Sequence, residues 1–559
     1  MPTQGWVQVS CGLLLMCVLN EPSLAADSVE ETLPATAAAV SAETTAAAVT
    51  TDAVATDAAV IADAPVIQEP TVVTPEPAPA PAPVPAPKPK PAAPKKKVPP
   101  VFPGPKLLPP TGPYKPLYFD NDFSAQGKPG ADYLLGEDLK LVKFPMLDTD
   151  FVFSTGGEIR HRFMSQDNRL QPGGPGQDTY NLSRWRHYLD LKAGDNFRFY
   201  VEGIDAASFG EDLPTQAIDE NRWDLQNFFM DVEVFETGTG THTIRAGRQE
   251  LLFGRQRLVS PLDWGNTRRN FEGLRYMVKE KDFKLDLFAV NPVNSGTGFN
   301  SITKNDHNFD QANRDVLFSG AYFSYTAIEN TNIDLYWLWV DNQKPVKGRA
   351  DGDRHTIGSR YTELIPTDGG RVWDLDVEGA YQFGSDLGQD VQAGFATGVL
   401  GHTWKNAPWS PRLSGLVYYG SGDKNAADGH DNTFSTMFPL GHAFWAISDN
   451  VSGQNLLDYS VQLDVKPTTK TGVTGAYHVF NLASDGDRAY NIAGVPVGAP
   501  GNGTDLGQAY DLFGYYAFNP NFDVQAGYSW FFYGDFISSQ PATRRQDASQ
   551  LYIQTSLRY

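Results

Sequence analysis

The feature that most constrains this chain is an alternation of apolar and polar residues, kept up in runs of about ten through roughly the last 440 residues. Trp373, Leu375 and Val377 interleave with Asp374, Asp376 and Glu378; Leu457, Tyr459, Val461, Leu463 and Val465 interleave with Asp458, Ser460, Gln462 and Asp464. A period of two puts each set on one face of an extended strand. About eighteen such runs begin near residues 155, 182, 197, 222, 243, 271, 283, 316, 332, 355, 373, 391, 412, 456, 472, 508, 522 and 549. After residue 20 no window holds the roughly 18 uninterrupted apolar residues that a membrane-spanning helix requires. A helical membrane protein is excluded, and the choice lies between a soluble sandwich and a closed barrel.

Connection length decides between them. Short turns fall at 193–196, 236–242, 279–282, 327–332, 466–471 and 518–521, and long polar loops near 165–180, 206–221, 250–270, 291–314, 341–354, 420–456, 481–507 and 534–548. Three connections fit less well: Gly384–Asp390 is short for a long loop, while 362–372 and 403–411 are long for turns. Short turns on one rim and long loops on the other mark an outer-membrane barrel, and a sandwich has no reason to segregate them. The last strand sets Leu551, Ile553, Leu557 and the terminal Tyr559 on one face. Trp337 with Trp339, Tyr418 with Tyr419, and Trp530 to Tyr533 are expected as girdle aromatics at the lipid–water boundaries. The expected fold class is therefore all-β: a transmembrane antiparallel β-barrel of about 18 strands over residues 117–559, preceded by a disordered linker.

Residues 1–25 read as a secretory signal peptide, with an apolar run from Trp6 to Leu19 and Ser23-Leu24-Ala25 as a cleavage site. Both cysteines, Cys11 and Cys17, lie inside it, so disulfide, thiol and cysteine–zinc chemistry are not expected of the mature chain. Residues 26–116 read as linker. Positions 27–76 hold nine Asp/Glu and no Lys/Arg, and 77–113 are rich in Pro, Ala and Lys, a composition of semi-rigid spacers. The net charge of −21 argues against nucleic acid as a partner.

If the apolar set faces lipid, the other set lines a lumen. Residues 151–280 hold fourteen of the 24 arginines but only two lysines, Lys192 and Lys279. Arg160, Arg162, Arg184, Arg186, Arg198, Arg245, Arg248 and Arg360 are the candidate lumen residues for binding an anion, because a guanidinium presents a planar fork of donors to carboxylates. Each of them has an alternative use as a brace paired with Glu158, Asp190, Glu202, Asp231 or Glu233. The connection Gly254–Arg269, with Arg255, Arg257, Arg268 and Arg269, is too long for a plain loop and is a candidate for folding inward. Against an electropositive lumen stands the acidic total of 56 Asp/Glu to 38 Lys/Arg over 119–559, assigned mainly to the long loops. There Asp423, Asp428 and Asp431 are a weak candidate for calcium, since no EF-hand pattern surrounds them. No other metal or cofactor is implied. Neither a His-Glu-x-x-His nor a Gly-x-Ser-x-Gly arrangement occurs, so an enzyme is not expected.

Several stretches together resemble the alginate export family of outer-membrane porins: Gly157-Glu158-Ile159-Arg160-His161-Arg162, Arg184-Trp185-Arg186, and above all Gly247-Arg248-Gln249-Glu250-Leu251-Leu252-Phe253-Gly254 running on to Arg269. The loop Ser421-Gly422-Asp423, with Thr433-Phe434, Phe438-Pro439 and His442, also fits. The resemblance implies an 18-stranded barrel whose arginine-lined pore passes an anionic uronate polysaccharide. The expected function is thus an anion-selective porin in the outer membrane of a Gram-negative-type bacterium, with the linker in the periplasm. Lipid, an anionic polysaccharide or other anionic solute, and cell-wall or periplasmic export components are its expected partners. The alternative is a structural barrel tethered to the cell wall through its Pro/Lys-rich linker.

Overall fold

The computed structural model describes residues 108–559 except 127, 129–132, 147, 172–174, 295–308, 344–350, 542 and 544. The signal peptide and the linker up to residue 107 lie outside the described residues. Eighteen strands form the barrel. The first five are β1 (Thr149–Asp167), β2 (Gln177–Ala193), β3 (Phe197–Phe209), β4 (Asn221–Glu236) and β5 (Thr241–Gln249). There follow β6 (Phe271–Lys279), β7 (Phe283–Pro292), β8 (Val316–Tyr325), β9 (Thr331–Asn342), β10 (Gly352–Thr367) and β11 (Arg371–Asp386). The last seven are β12 (Gln389–Trp404), β13 (Arg412–Gly420), β14 (Leu456–Thr468), β15 (Thr471–Leu482), β16 (Asp505–Asn519), β17 (Phe522–Tyr533) and β18 (Ala548–Arg558).

Each strand pairs antiparallel with its neighbours in sequence, and β18 returns to β1 in a register from Glu158↔Arg558 to Asp167↔Ser549. That last pairing leaves no open edge, which a sheet in lipid cannot tolerate because nothing there hydrogen-bonds its exposed backbone. β1 runs past the end of β18, and there the short strand Val142–Met146 pairs with Thr149–Phe153. All the turns expected to be short are short. The 362–372 connection shrinks to Asp368–Gly370 because β10 and β11 run further toward the rim than their alternation showed, and β11 and β12 are joined by Leu387 and Gly388 alone.

The outer wall is apolar and unburied: Ile159, Leu189, Leu274, Leu335, Val377, Leu400, Val461 and Leu512 are all exposed. So continuous a band of exposed apolar side chains fits hydrocarbon and not water. Two expectations need correction. Tyr419, Trp530 and Phe532 face outward, but Tyr418 and Phe531 are buried on the inner face, since strict alternation sends adjacent aromatics to opposite sides. The folded part also starts before residue 117. Tyr114 is buried against Phe123 with ring centroids 5.7 Å apart, and its hydroxyl accepts from Asn521 Nδ2 at 2.9 Å.

Close strand contact makes one glycine of the Gly247–Gly254 stretch indispensable. Gly247 has φ +126°, and a Cβ there would lie 2.2 Å from the Phe228 carbonyl oxygen. Gly247→Val is expected to abolish most of the heat-modifiable folded band on a denaturing gel, whereas Gly398→Ala, whose added Cβ meets nothing within 4 Å, is expected to leave it intact.

Candidate functional site in the barrel lumen

The inward positions of β1 to β3 carry charge in an order that pairs it across strands. Arg184 Nη2 donates to Glu158 at 2.6 Å, Arg186 reaches Glu202 at 2.5 Å, and Arg198 Nε donates to Asp190 at 2.7 Å. On β5, Arg245 grips Asp231 with two bonds of 2.7 and 2.8 Å. Across the barrel Arg360 sits between Asp376 at 2.9 Å and Asp334 at 3.3 Å, and Arg412 between Asp374 at 2.7 Å and Asp464 at 3.0 Å. An unpaired charge so dehydrated costs several kcal/mol, and burial of this kind selects for such partners. Arg248 is a correction. One residue beyond Gly247, it takes the opposite face of β5 from Arg245 and donates to Glu272 at 2.7 Å and to the Leu225 carbonyl at 2.9 Å.

The connection 250–270 folds inward, and the arginines determine where it rests. Arg160 donates to the carbonyls of Asp263 at 2.8 Å and Gly265 at 2.6 Å. Arg162 donates to the carbonyl of Trp264 at 2.8 Å, with its guanidinium 3.7 Å from that ring's centre, and to Gln554 on β18. Arg268 binds Glu250 and Asp263, and Asp263 also takes Arg184 at 3.0 Å. From the same loop Arg255 reaches Asp376 at 2.8 Å and Arg257 reaches Glu378 at 2.5 Å, both on β11. The loop therefore crosses from the β1–β2 wall to the β11 wall. Arg269 bonds the Ser260 carbonyl at 3.1 Å and the Pro439 carbonyl, and burial pushes its guanidinium down to about 10, still charged at neutral pH. Among the described residues Arg160, Arg162 and Arg269 have no carboxylate in ion-pair contact. Burial alone would raise the Asp263 carboxyl, but Arg268, Arg184 and Arg160 around it hold it well below the usual range.

A second loop, 421–455, folds in beside the first. Phe438 N donates to the Leu258 carbonyl and Leu440 N to the Gln256 carbonyl, each at 2.9 Å. Trp264 stacks on His442 with centroids 3.4 Å apart, and Asp449 accepts from Trp264 Nε1 at 2.7 Å and lies 2.9 Å from His442 Nδ1. Arg169 Nε and Gln550 Nε2 hold the carbonyls of Ser448 and Ile447, both at 2.7 Å. The sequence reading counted this stretch as a polar loop and missed its role. The signal was present in Phe434, Phe438, Phe444, Trp445 and Ile447, apolar residues that a solvated loop does not need. Between the loops and the β11–β16 wall a cavity of about 60 Å³ remains, faced by Arg255, Arg257, Arg412, Asp374, His478 and Asp511. It has room for a few waters.

Asp423, Asp428 and Asp431 do not converge as metal ligands. Asp423 accepts from Asn425 N at 3.2 Å, Asp428 from His430 N at 2.9 Å, and Asp431 pairs with Arg354. Among the described residues no group of three His, Cys, Asp or Glu side chains is placed to hold a metal ion.

A family profile described as alginate export matches residues 151–550. The chain belongs to the alginate export family. No curated protein matches its sequence. Among solved structures it is similar to OccK5 (OpdH) of Pseudomonas aeruginosa at 13% identity, covering 73% of this chain and 98% of that one, with a TM-score of 0.48. OccAB1 of Acinetobacter baumannii is similar at 12% identity, covering 73% and 96%, with a TM-score of 0.49. In this member of the family the 250–270 loop is held by several ion pairs, Arg268 with Glu250 among them. Arg268→Met leaves Glu250, fully buried, without its nearest partner, at a cost of about 3–5 kcal/mol. The expected outcome is loss of protease resistance in the loop and a larger single-channel conductance, with strand content by circular dichroism unchanged.

Proposed function

We propose that this barrel is an outer-membrane channel for anionic solutes, with an alginate-like polysaccharide or uronate oligomers as its cargo. The observation that carries the reading is membership in the alginate export family over residues 151–550. The chemistry of the lumen supports it. Guanidinium groups from β1, β2, β10, β13 and the crossing loop lie on the inner side, and each holds a fork of donors matched to a carboxylate. Their acidic neighbours do not defeat this purpose. A passing anion that meets guanidiniums already shared with Asp376 or Asp374 is held weakly at each, and conduction needs binding loose enough to release.

The 250–270 and 421–455 loops occupy the lumen and leave between themselves and the β11–β16 wall a cavity of only about 60 Å³, so polymer transit would call for these loops to move aside. Small anions need no such motion. The zero-current potential of reconstituted protein in a KCl gradient is expected to report chloride preference, and Arg255→Gln with Arg412→Gln is expected to lower that preference several-fold, because two fixed charges leave the cavity beside the loops. Cation selectivity in the unmutated pore overturns the proposal.

A further inference from the structure

At the short-turn rim, below the loops, the inner wall of β2 to β8, the segment 115–120 and the first residues of the inward loop line a second and much larger open cavity of about 800 Å³. Its size is that of ligand sites for small molecules. Seven cations line it, four Lys and three Arg, against five carboxylates, in a chain whose total charge is −21. The arginines are committed: Arg198 to Asp190, Arg245 to Asp231 and Arg275 to Asp286, each at 2.7 Å. The lysines are not. Lys115, Lys192, Lys279 and Lys284 have no carboxylate in ion-pair contact among the described residues, and Asp120, Asp195 and Glu233 share the wall with them. Lys192 and Lys279 are the two lysines that interrupt the arginine-rich stretch 151–280, and both stand at this rim.

Two buried polar atoms on the same wall have no partner. Arg245 is 3% exposed, its Nε and Nη2 bind Asp231, and its Nη1 donates to nothing. Tyr322 is 6% exposed and its hydroxyl is likewise unpaired. Both atoms are sealed from solvent, the Arg245 guanidinium lying between the Phe119 and Phe229 rings at 4.4 and 3.6 Å, so the cavity's accessible positive charge is that of the lysines. Phe253, stacked on Tyr322 at 4.8 Å, and Phe119 add apolar ring faces to the wall.

We propose that this cavity is a docking subsite for acidic sugar units, where a uronate chain is gathered from the short-turn side before it reaches the loops. The proposal rests on the reading of the protein as an anion channel. In it Lys192, Lys279 and Lys284, which have no carboxylate in ion-pair contact, attract the carboxylates of the sugar chain.

The test is block of single-channel current by uronate hexamers added to one side, with an Asn502→Cys label in a long loop marking each channel's orientation. Hexamers on the short-turn side are expected to block the unmutated channel, and the triple variant Lys192→Gln/Lys279→Gln/Lys284→Gln is expected to cut the blocking on-rate about tenfold. A neutral maltohexaose is expected to show no dependence on the lysines. An unchanged on-rate in the triple variant, or block only from the long-loop side, overturns the subsite while chloride preference in the unmutated pore leaves the channel reading standing. Cation preference in that pore removes the channel reading itself. Heat-modifiability of each variant establishes that the barrel has formed.

Discussion

The interior of this barrel depends on one constraint: guanidinium groups placed where water is scarce must be met by something that shares their charge. An 18-stranded wall encloses more volume than its own side chains fill. Here the excess is filled by chain, and the chain is held by arginines. Arg160 and Arg162 hold the carbonyls of Asp263 to Gly265, and Arg184 and Arg268 share the Asp263 carboxylate. Arg255 and Arg257 anchor the far end of the loop on β11. The second loop then packs on the first through Trp264, His442 and Asp449. The two inward loops are thus a hierarchy, in which the charge network fixes one and the aromatic stack fixes the other to it.

In the channel proposed above, the same groups serve architecture and conduction without conflict because the two demands differ in strength. Bracing needs bidentate, dehydrated pairs such as Arg245 with Asp231. For the proposed passage of an anion, the charges still accessible to a solute would be those beside open space, Arg255 and Arg412 at the narrow cavity and the lysines of the wide one. A division of labour between residue types follows. Arginine, planar and weakly hydrated, is carboxylate-paired even at the wide cavity, through Arg198, Arg245 and Arg275; the cations left there without a carboxylate partner are lysines, mobile and strongly hydrated point charges.

How much of this was legible in the sequence differs between wall and interior. The alternation gave all eighteen strands within a few residues of their starts, because one face of each must be apolar and the other polar. It also placed Arg160, Arg184, Arg198 and Arg245 on the inner face. It did not place Arg248, which was grouped with them for its chemistry although its position on the strand sends it outward. Tyr418 and Phe531 follow the same rule, their position on the strand, and not their aromatic character, setting them on the inner face. The partner of each arginine was beyond reach, since Asp376 lies 121 residues from Arg255 in sequence.

The sequence by itself therefore determined the class of molecule: a strand-built, lipid-facing barrel with short turns on one rim and arginine concentrated in its first six strands. These properties are local, set by a two-residue period and by the lengths of connections. Only the tertiary structure decided what the arginines do. Whether a guanidinium braces the wall, pins a loop or faces a cavity depends on which distant carboxylate or carbonyl the closed barrel brings within 3 Å of it. Closure is a global event, sealed by ten residue pairs between β1 and β18, and no periodicity along the chain encodes which groups it brings together across the lumen.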